Sequence, residues 1–230
     1  MSGRRGRAGA VARGQRGRGG AVVRAVWRVA VAVVRYELAL WRNLWRWARR
    51  RPPLLPAGAH GFGYAAGVAP TLRAFVIISA VELPIVHFVV PWSGARLALD
   101  VLGVYGLVWM VGLLATTRQE PHLVGPAGIR VRYGMTGRLA IPAADIASIT
   151  ARTRTLPPGT VLVEDEPDGG RAAHLAVVGQ TNVDVVLRGP RVLPLRRAAG
   201  RPLTAVRFYA DDPAALVARA RELLADRPAA

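Results

Sequence analysis

Two apolar segments, 74–92 and 97–116, stand almost back to back in this sequence, joined through Pro91-Trp92-Ser93-Gly94-Ala95-Arg96. They are 19 and 20 residues long, and a helix needs about 20 mostly apolar residues to cross the hydrocarbon core of a bilayer. The pattern predicts a transmembrane helical hairpin over 71–117. The connecting turn holds only Arg96, whereas Arg73, Arg118 and all upstream arginines lie at the other end. The positive-inside rule then places both termini in the cytoplasm, with two spans in the cell's inner (plasma) membrane and Trp92 at the outer interface.

Four polar residues sit inside these segments: Glu82, His87, Asp100 and Tyr105. An acid within a span is costly unless it is paired, by about 2.5–3.5 kcal/mol on the mildest insertion scale, and is therefore a functional candidate. Depth restricts the pairing. At about 1.5 Å per residue, His87 is about 7.5 Å and Asp100 about 4.5 Å from the outer helix ends, so these two are expected to meet. Glu82 lies about 15 Å down, near the midplane, and is expected to pair with Tyr105 or with another subunit. Glu82 and His87 are about 140° apart on an ideal helix, so they do not share a face as metal ligands in a helical motif would. Gly103, Gly106 and Gly112 offer surfaces where helices can approach closely.

The chain has 230 residues, no cysteine, no lysine and a net charge of +18. Lack of cysteine excludes disulfides, thiolate metal sites and a Cys nucleophile. The charge is uneven: residues 1–51 carry 14 Arg against Glu37 alone, 52–117 balance, and 118–230 carry 16 Arg against 11 acids. A basic block of this size calls for an anionic partner, either a negative membrane leaflet or nucleic acid. All-Arg positive charge amid abundant Ala, Gly, Val and Pro resembles the compositional bias of a GC-rich bacterial genome.

Residues 1–20 are low in complexity, rich in Arg and Gly and poor in large apolar residues, which predicts a disordered tail. One RGG without interleaved aromatics is a weak nucleic-acid signal beside a solvated basic tail. Over 21–50, Arg24, Arg28, Arg35, Arg42, Arg46 and Arg49 fall within about 60° of one another on a helical wheel. Trp27, Trp41 and Trp45 flank this stripe, and apolar residues fill most of the rest. This is the pattern of an interfacial helix with arginines on lipid phosphates and indoles at the acyl boundary; each Arg near an anionic surface contributes about 1 kcal/mol. The alternatives are a helix packed on the protein with a solvated Arg face, and a third span. Glu37, opposite the stripe, is expected to pair with an Arg elsewhere or to snorkel. Residues 51–70, broken by proline and glycine, read as a linker. Their Gly61-x-Gly63-x-x-Ala66 neither follows a strand nor opens a helix, and so lacks the context of a nucleotide site.

After Arg118 the periodicity becomes two. Ile129, Val131 and Tyr133 alternate with Arg130 and Arg132, and 138–141 returns after a glycine-bounded turn, giving a hairpin with a basic outer face. Further strands are expected at 145–152, 160–163, 173–178, 182–188, 192–195 and 204–209. A last helix is predicted with Asp212 as cap, Pro213 in first position and Leu216, Ala220, Leu223 and Leu224 on one face. Some seven antiparallel strands closed by one helix describe a small barrel or split sandwich over 118–230.

The pattern Gly128-Ile129-x-Val131-x-Tyr133-Gly134, then Ile141-Pro142-x-x-Asp145-Ile146, with Phe208-Tyr209-Ala210-Asp211-Asp212-Pro213 leading into the helix, resembles the pleckstrin-homology-like (PH-like) domains carried by bacterial integral membrane proteins. The resemblance covers about half the chain. It implies a cytoplasmic binding or scaffolding module without enzyme activity. Eukaryotic members bind phosphoinositides through basic residues of the first hairpin; Arg130, Arg132 and Arg138 occupy comparable places, but the lysine common there is missing.

The expectation is therefore a membrane α + β protein: basic amphipathic helix, transmembrane hairpin, then PH-like domain. It would be a non-enzymatic scaffold at the anionic leaflet, with lipids and a protein partner or second copy as partners, and no cofactor or metal. A transporter or proton-relay subunit using Glu82 is the alternative. His60, His122 and His174 have no catalytic constellation around them.

Overall fold

The structure is a computed structural model that describes residues 5–133 and 137–225. The Gly134 turn and the first residues of the expected tail lie outside that range. The chain divides into two units, Met1–Arg42 and Asn43–Ala230. Helix α1, Arg5–Ala48, makes up the described part of the first and continues into the second. It begins inside the stretch predicted to be disordered, where Ala and Arg, both good helix formers, alternate with glycine. Its end is built within the second unit: Arg46 donates to the Pro52 carbonyl at 2.6 Å, ahead of the Pro52-Pro53 pair that stops the helix.

Helix α2, Ala69–Val89, and α3, Ser93–Gln119, form the hairpin. Both are long and apolar enough to cross a membrane. They meet where Gly103 lies against Leu83; a Cβ there would come within 3.1 Å of the Leu83 side chain. The turn between them is shorter than expected, since Ser93 already opens α3.

A sheet-rich domain follows. β1 (His60–Phe62), β2 (His122–Gly125), β3 (Gly128–Tyr133) and β4 (Gly137–Pro142) form a four-stranded sheet in sequence order. β5 (Ile146–Thr155), β6 (Val161–Asp165), β7 (Arg171–Leu175), β8 (Gln180–Arg191) and β9 (Leu203–Phe208) form a second sheet in the order β5-β8-β9-β7-β6. The two sheets remain separate among the described residues, so of the expected barrel or split sandwich the closed barrel is not formed. Three further differences stand out. The stretch expected as a linker supplies β1, which pairs with β2 across the helical hairpin, His60 opposite Val124. The expected strand at 192–195 is irregular, because Pro190 and Pro194 remove backbone donors. β7 and β9 run parallel, His174 opposite Arg207, where an all-antiparallel array was predicted.

One core lies between the sheets and the last helix. Ile129, Val131, Leu139 and Ile141 enter it from the first sheet, Val183, Val185, Val206 and Phe208 from the second. Burying each such side chain stabilises by about 1.5–3 kcal/mol. Helix α4, Pro213–Ala225, closes the core with Leu216, Val217 and Ala220. Its predicted cap is in place, with the Ala215 amide donating to Asp212 Oδ1 at 2.9 Å. Arg221 ties the helix to β5 by donating to the Ile149 carbonyl at 2.9 Å.

Candidate functional site

The hairpin surface is apolar and outward-facing. Phe75, Ile78, Val81, Ile85, Phe88 and Leu102 are each more than half exposed, and Trp92 is 73 % exposed beside the turn. An exposed apolar surface of this extent over two adjacent helices marks a contact with a membrane or with another protein. Within it, His87 Nδ1 lies 2.7 Å from Asp100 Oδ2, the pairing that depth matching predicts. Glu82 is exposed and has no hydrogen bond or ion pair among the described residues. Tyr105, at a comparable depth, is 46 % exposed and does not serve as its partner.

On α1, Arg24, Arg28, Arg35 and Arg42 are exposed in the first unit, as are Trp27 and Trp41. In the second unit Arg49 is exposed and stacks over Trp45, its guanidinium carbon 4.1 Å from the ring centroid, while Arg46 is half-buried. Glu37 accepts from the Trp41 indole N–H at 3.2 Å, a helical i,i+4 partner that the sequence reading did not assign.

The basic hairpin is only partly available. Arg130 and Arg138 are exposed, but Arg132 is buried against Glu120, which follows α3 directly. Glu120 also accepts from Arg138 at 3.2 Å and from Asn43 Nδ2 at 3.0 Å. Burial opposes its ionisation, yet the Asn43 amide and the two guanidinium groups outweigh that and hold its pKa below the usual value. Gln119 donates to the Arg51 carbonyl at 2.9 Å, so the end of α3 is bound to the chain on both sides. Beside Arg130 lies an apolar cavity of about 260 Å³, lined by Pro56, Ala57, Leu123, Ala140 and Ile141 among others.

Sequence reasoning missed a row of charges across the second sheet. Arg154 donates to Asp184 Oδ2 at 2.7 Å; Arg207 forms a two-pronged pair with Glu166 at 2.7 and 2.9 Å and donates to His174 Nε2 at 3.2 Å. His174, Asp184 and Arg207 are each less than 10 % exposed. Burial first, then the Arg207 charge, holds the His174 pKa below its usual value despite Glu164 and Glu166 nearby. Asp184 and Arg207 face each other in register across β8 and β9, as His174 and Arg207 do across β7 and β9. Each strand's alternation was legible; which strands are neighbours was not. Every cation in this row already has a carboxylate, so the row braces the sheet rather than offering a free anion site.

The three outlying histidines have structural partners. His122 is enclosed between Arg132 and Tyr209, His174 sits in the charge row, and His60 receives a bond from Arg219 at 3.2 Å. Among the described residues no three His, Asp or Glu side chains converge as metal ligands. Comparison with protein families, curated proteins and solved structures finds no match for this chain.

Proposed function

We propose that this chain is a non-enzymatic integral protein of the inner membrane, crossing it twice with both termini in the cytoplasm, whose sheet domain is a PH-like binding or scaffolding module held against the anionic leaflet. The observation that carries this reading is the outward-facing apolar surface of α2 and α3, whose length and composition suit a lipid environment. The exposed arginines and tryptophans of α1 supply the electrostatic part: guanidinium groups for lipid phosphates, indoles for the acyl boundary. Two sheets closed by one C-terminal helix support the PH-like comparison, and the parallel β7–β9 pair is a departure from an all-antiparallel plan. Arg130 and Arg138 are the sheet-domain residues best placed for an anionic headgroup, Arg132 being already engaged by Glu120.

The test uses the lack of native cysteine. A Ser93→Cys variant should react with an impermeant maleimide on intact cells, whereas Arg188→Cys should react only after permeabilisation. Extraction of the chain by alkaline carbonate, or labelling of Arg188→Cys from outside, would overturn the reading. For α1, a 21–50 peptide should become helical on anionic vesicles, with salt reversing the effect, and should stay unfolded on neutral ones. A proton-relay subunit is the second reading, favoured by the unpaired Glu82; there Glu82→Gln would abolish a proton-coupled flux at unchanged membrane abundance.

A further inference from the structure

We propose that α2 pairs with α2 of a second copy of this chain along the stripe Phe75, Ile78, Glu82, Ile85 and Val89, with the two Glu82 carboxyl groups meeting each other. The inference rests on the membrane reading above and names a partner within it.

The spacing of these residues, three and four in alternation, is that of a helix-pairing seam with a polar residue at one central position. Among the described residues of the second unit the seam is not the face turned to α3. Leu72, Val76, Ser79, Leu83 and Val86 are half-buried and form the stripe toward α3; the Glu82 stripe lies about 100° around the helix from it. Its apolar members are strongly exposed: Phe75 54 %, Ile78 58 %, Ile85 55 % and Val89 71 %.

Glu82 selects the occupant. A carboxyl group at the midplane needs a hydrogen-bonding partner at its own depth, because hydrocarbon offers none. This chain supplies no such partner among the described residues. Two copies in one membrane share an orientation, so their α2 helices run parallel and equal residues lie at equal depth. A two-fold axis along the membrane normal then brings each residue of the seam to its own copy. The cations of the hairpin region, Arg73, Arg96 and Arg118, lie at the ends of the spans, and a second copy carries them to those same levels. What the copy does bring to the midplane is another Glu82. Two carboxyl groups bond well when one donates its O–H to the other, and the pair is then satisfied without a cation.

The experiment is cysteine crosslinking of the full-length chain in native membranes. Ile78→Cys and Ile85→Cys should form disulfide-linked dimers on oxidation, while Val81→Cys and Phe88→Cys, on other faces, should not. In the Ile85→Cys background, Glu82→Gln should keep the dimer, since paired amides also bond, and Glu82→Leu should reduce it about fivefold. The proposal is overturned by no dimer at either seam position, by equal crosslinking on all faces, or by adducts at Ile78→Cys or Ile85→Cys that contain a different protein. It is also overturned if Glu82→Leu dimerises as well as the parent. Carbonate extraction on the same membranes separates failure of the pairing from failure of the membrane reading: a retained, monomeric chain sinks only the pairing.

Discussion

His122 donates its Nε2–H to the Tyr209 carbonyl at 2.8 Å, and its Nδ1 accepts the Arg132 amide at 2.9 Å. Both ring nitrogens are committed, one as donor and one as acceptor, so the imidazole is neutral. Burial, opposed by the Tyr209 bond and assisted by the Arg132 charge, pushes its pKa from 6.5 down to about 4.

The unfolded chain therefore takes up this proton before the folded one does. The stability is complete above about pH 6.5 and is lost as pH falls toward 4, with about 3 kcal/mol at stake. Denaturant unfolding of the purified chain in detergent, followed by tryptophan fluorescence, should show a falling midpoint across that window. In His122→Leu the midpoint should start lower and fall less.

Removing Glu120 should be costly in a different way. Glu120→Ala leaves the buried Arg132 guanidinium without its carboxylate, and breaking a buried pair from one side costs about 3 kcal/mol or more. Glu120→Gln, which keeps the bond geometry but not the charge, should cost less. Because the Glu120 pKa is lowered on folding, its contribution is present above 4.5 and is lost as pH falls further. The check is the unfolding midpoint of each variant at pH 7.

Asp211 secures the chain ahead of α2. Its carboxylate accepts from the Ala65 and Ala66 amides at 3.0 and 2.9 Å, and its own amide donates to the Gly63 carbonyl at 2.8 Å. Asp211→Ala should lose about 2 kcal/mol from the two bonds to a charged acceptor. Limited proteolysis should then cut near residues 61–68, where the parent resists.

Gly128 has φ +123°, and a Cβ there would collide with the Ile141 carbonyl oxygen and the Ala143 amide. Gly128→Ala should therefore destabilise by about 2 kcal/mol or more. Gly106→Ala, which meets open space inside α3, is the control and should not lower thermal stability, alanine being the better helix former.

What was legible in the sequence was what depends on near neighbours. Apolar length gave α2 and α3, depth gave the His87–Asp100 pair, and the Asp212-Pro213 start gave α4. What was not legible depends on distant parts of the chain. β1 is a three-residue strand, His-Gly-Phe, too short to alternate, and exists because β2 lies beside it. Gly61 and Gly63 belong to close packing there: a Cβ on Gly61 would come 2.9 Å from Pro121, and one on Gly63 2.5 Å from Asp211. Arg132 alternates as an outward residue should, and is buried because Glu120 arrives from the end of α3. The charge row needs the parallel β7–β9 register, which no local pattern announces.

The β1–β2 pairing has a consequence for how the chain enters a membrane. His60 and Val124 are 64 positions apart and face each other on one sheet, with both apolar helices between them. Backbone bonds between two strands can form only when both are in the same compartment. With α2 and α3 as the proposed spans, the staple is compatible with an even number of crossings between β1 and β2 and not with a chain that has inserted only one helix. A nascent chain stalled half-way would leave β1 stranded from β2, Asp211 without its loop and Gln119 without the Arg51 carbonyl. On the membrane reading proposed above, the sheet closes only in a chain whose two helices have fared alike, both across the bilayer or neither.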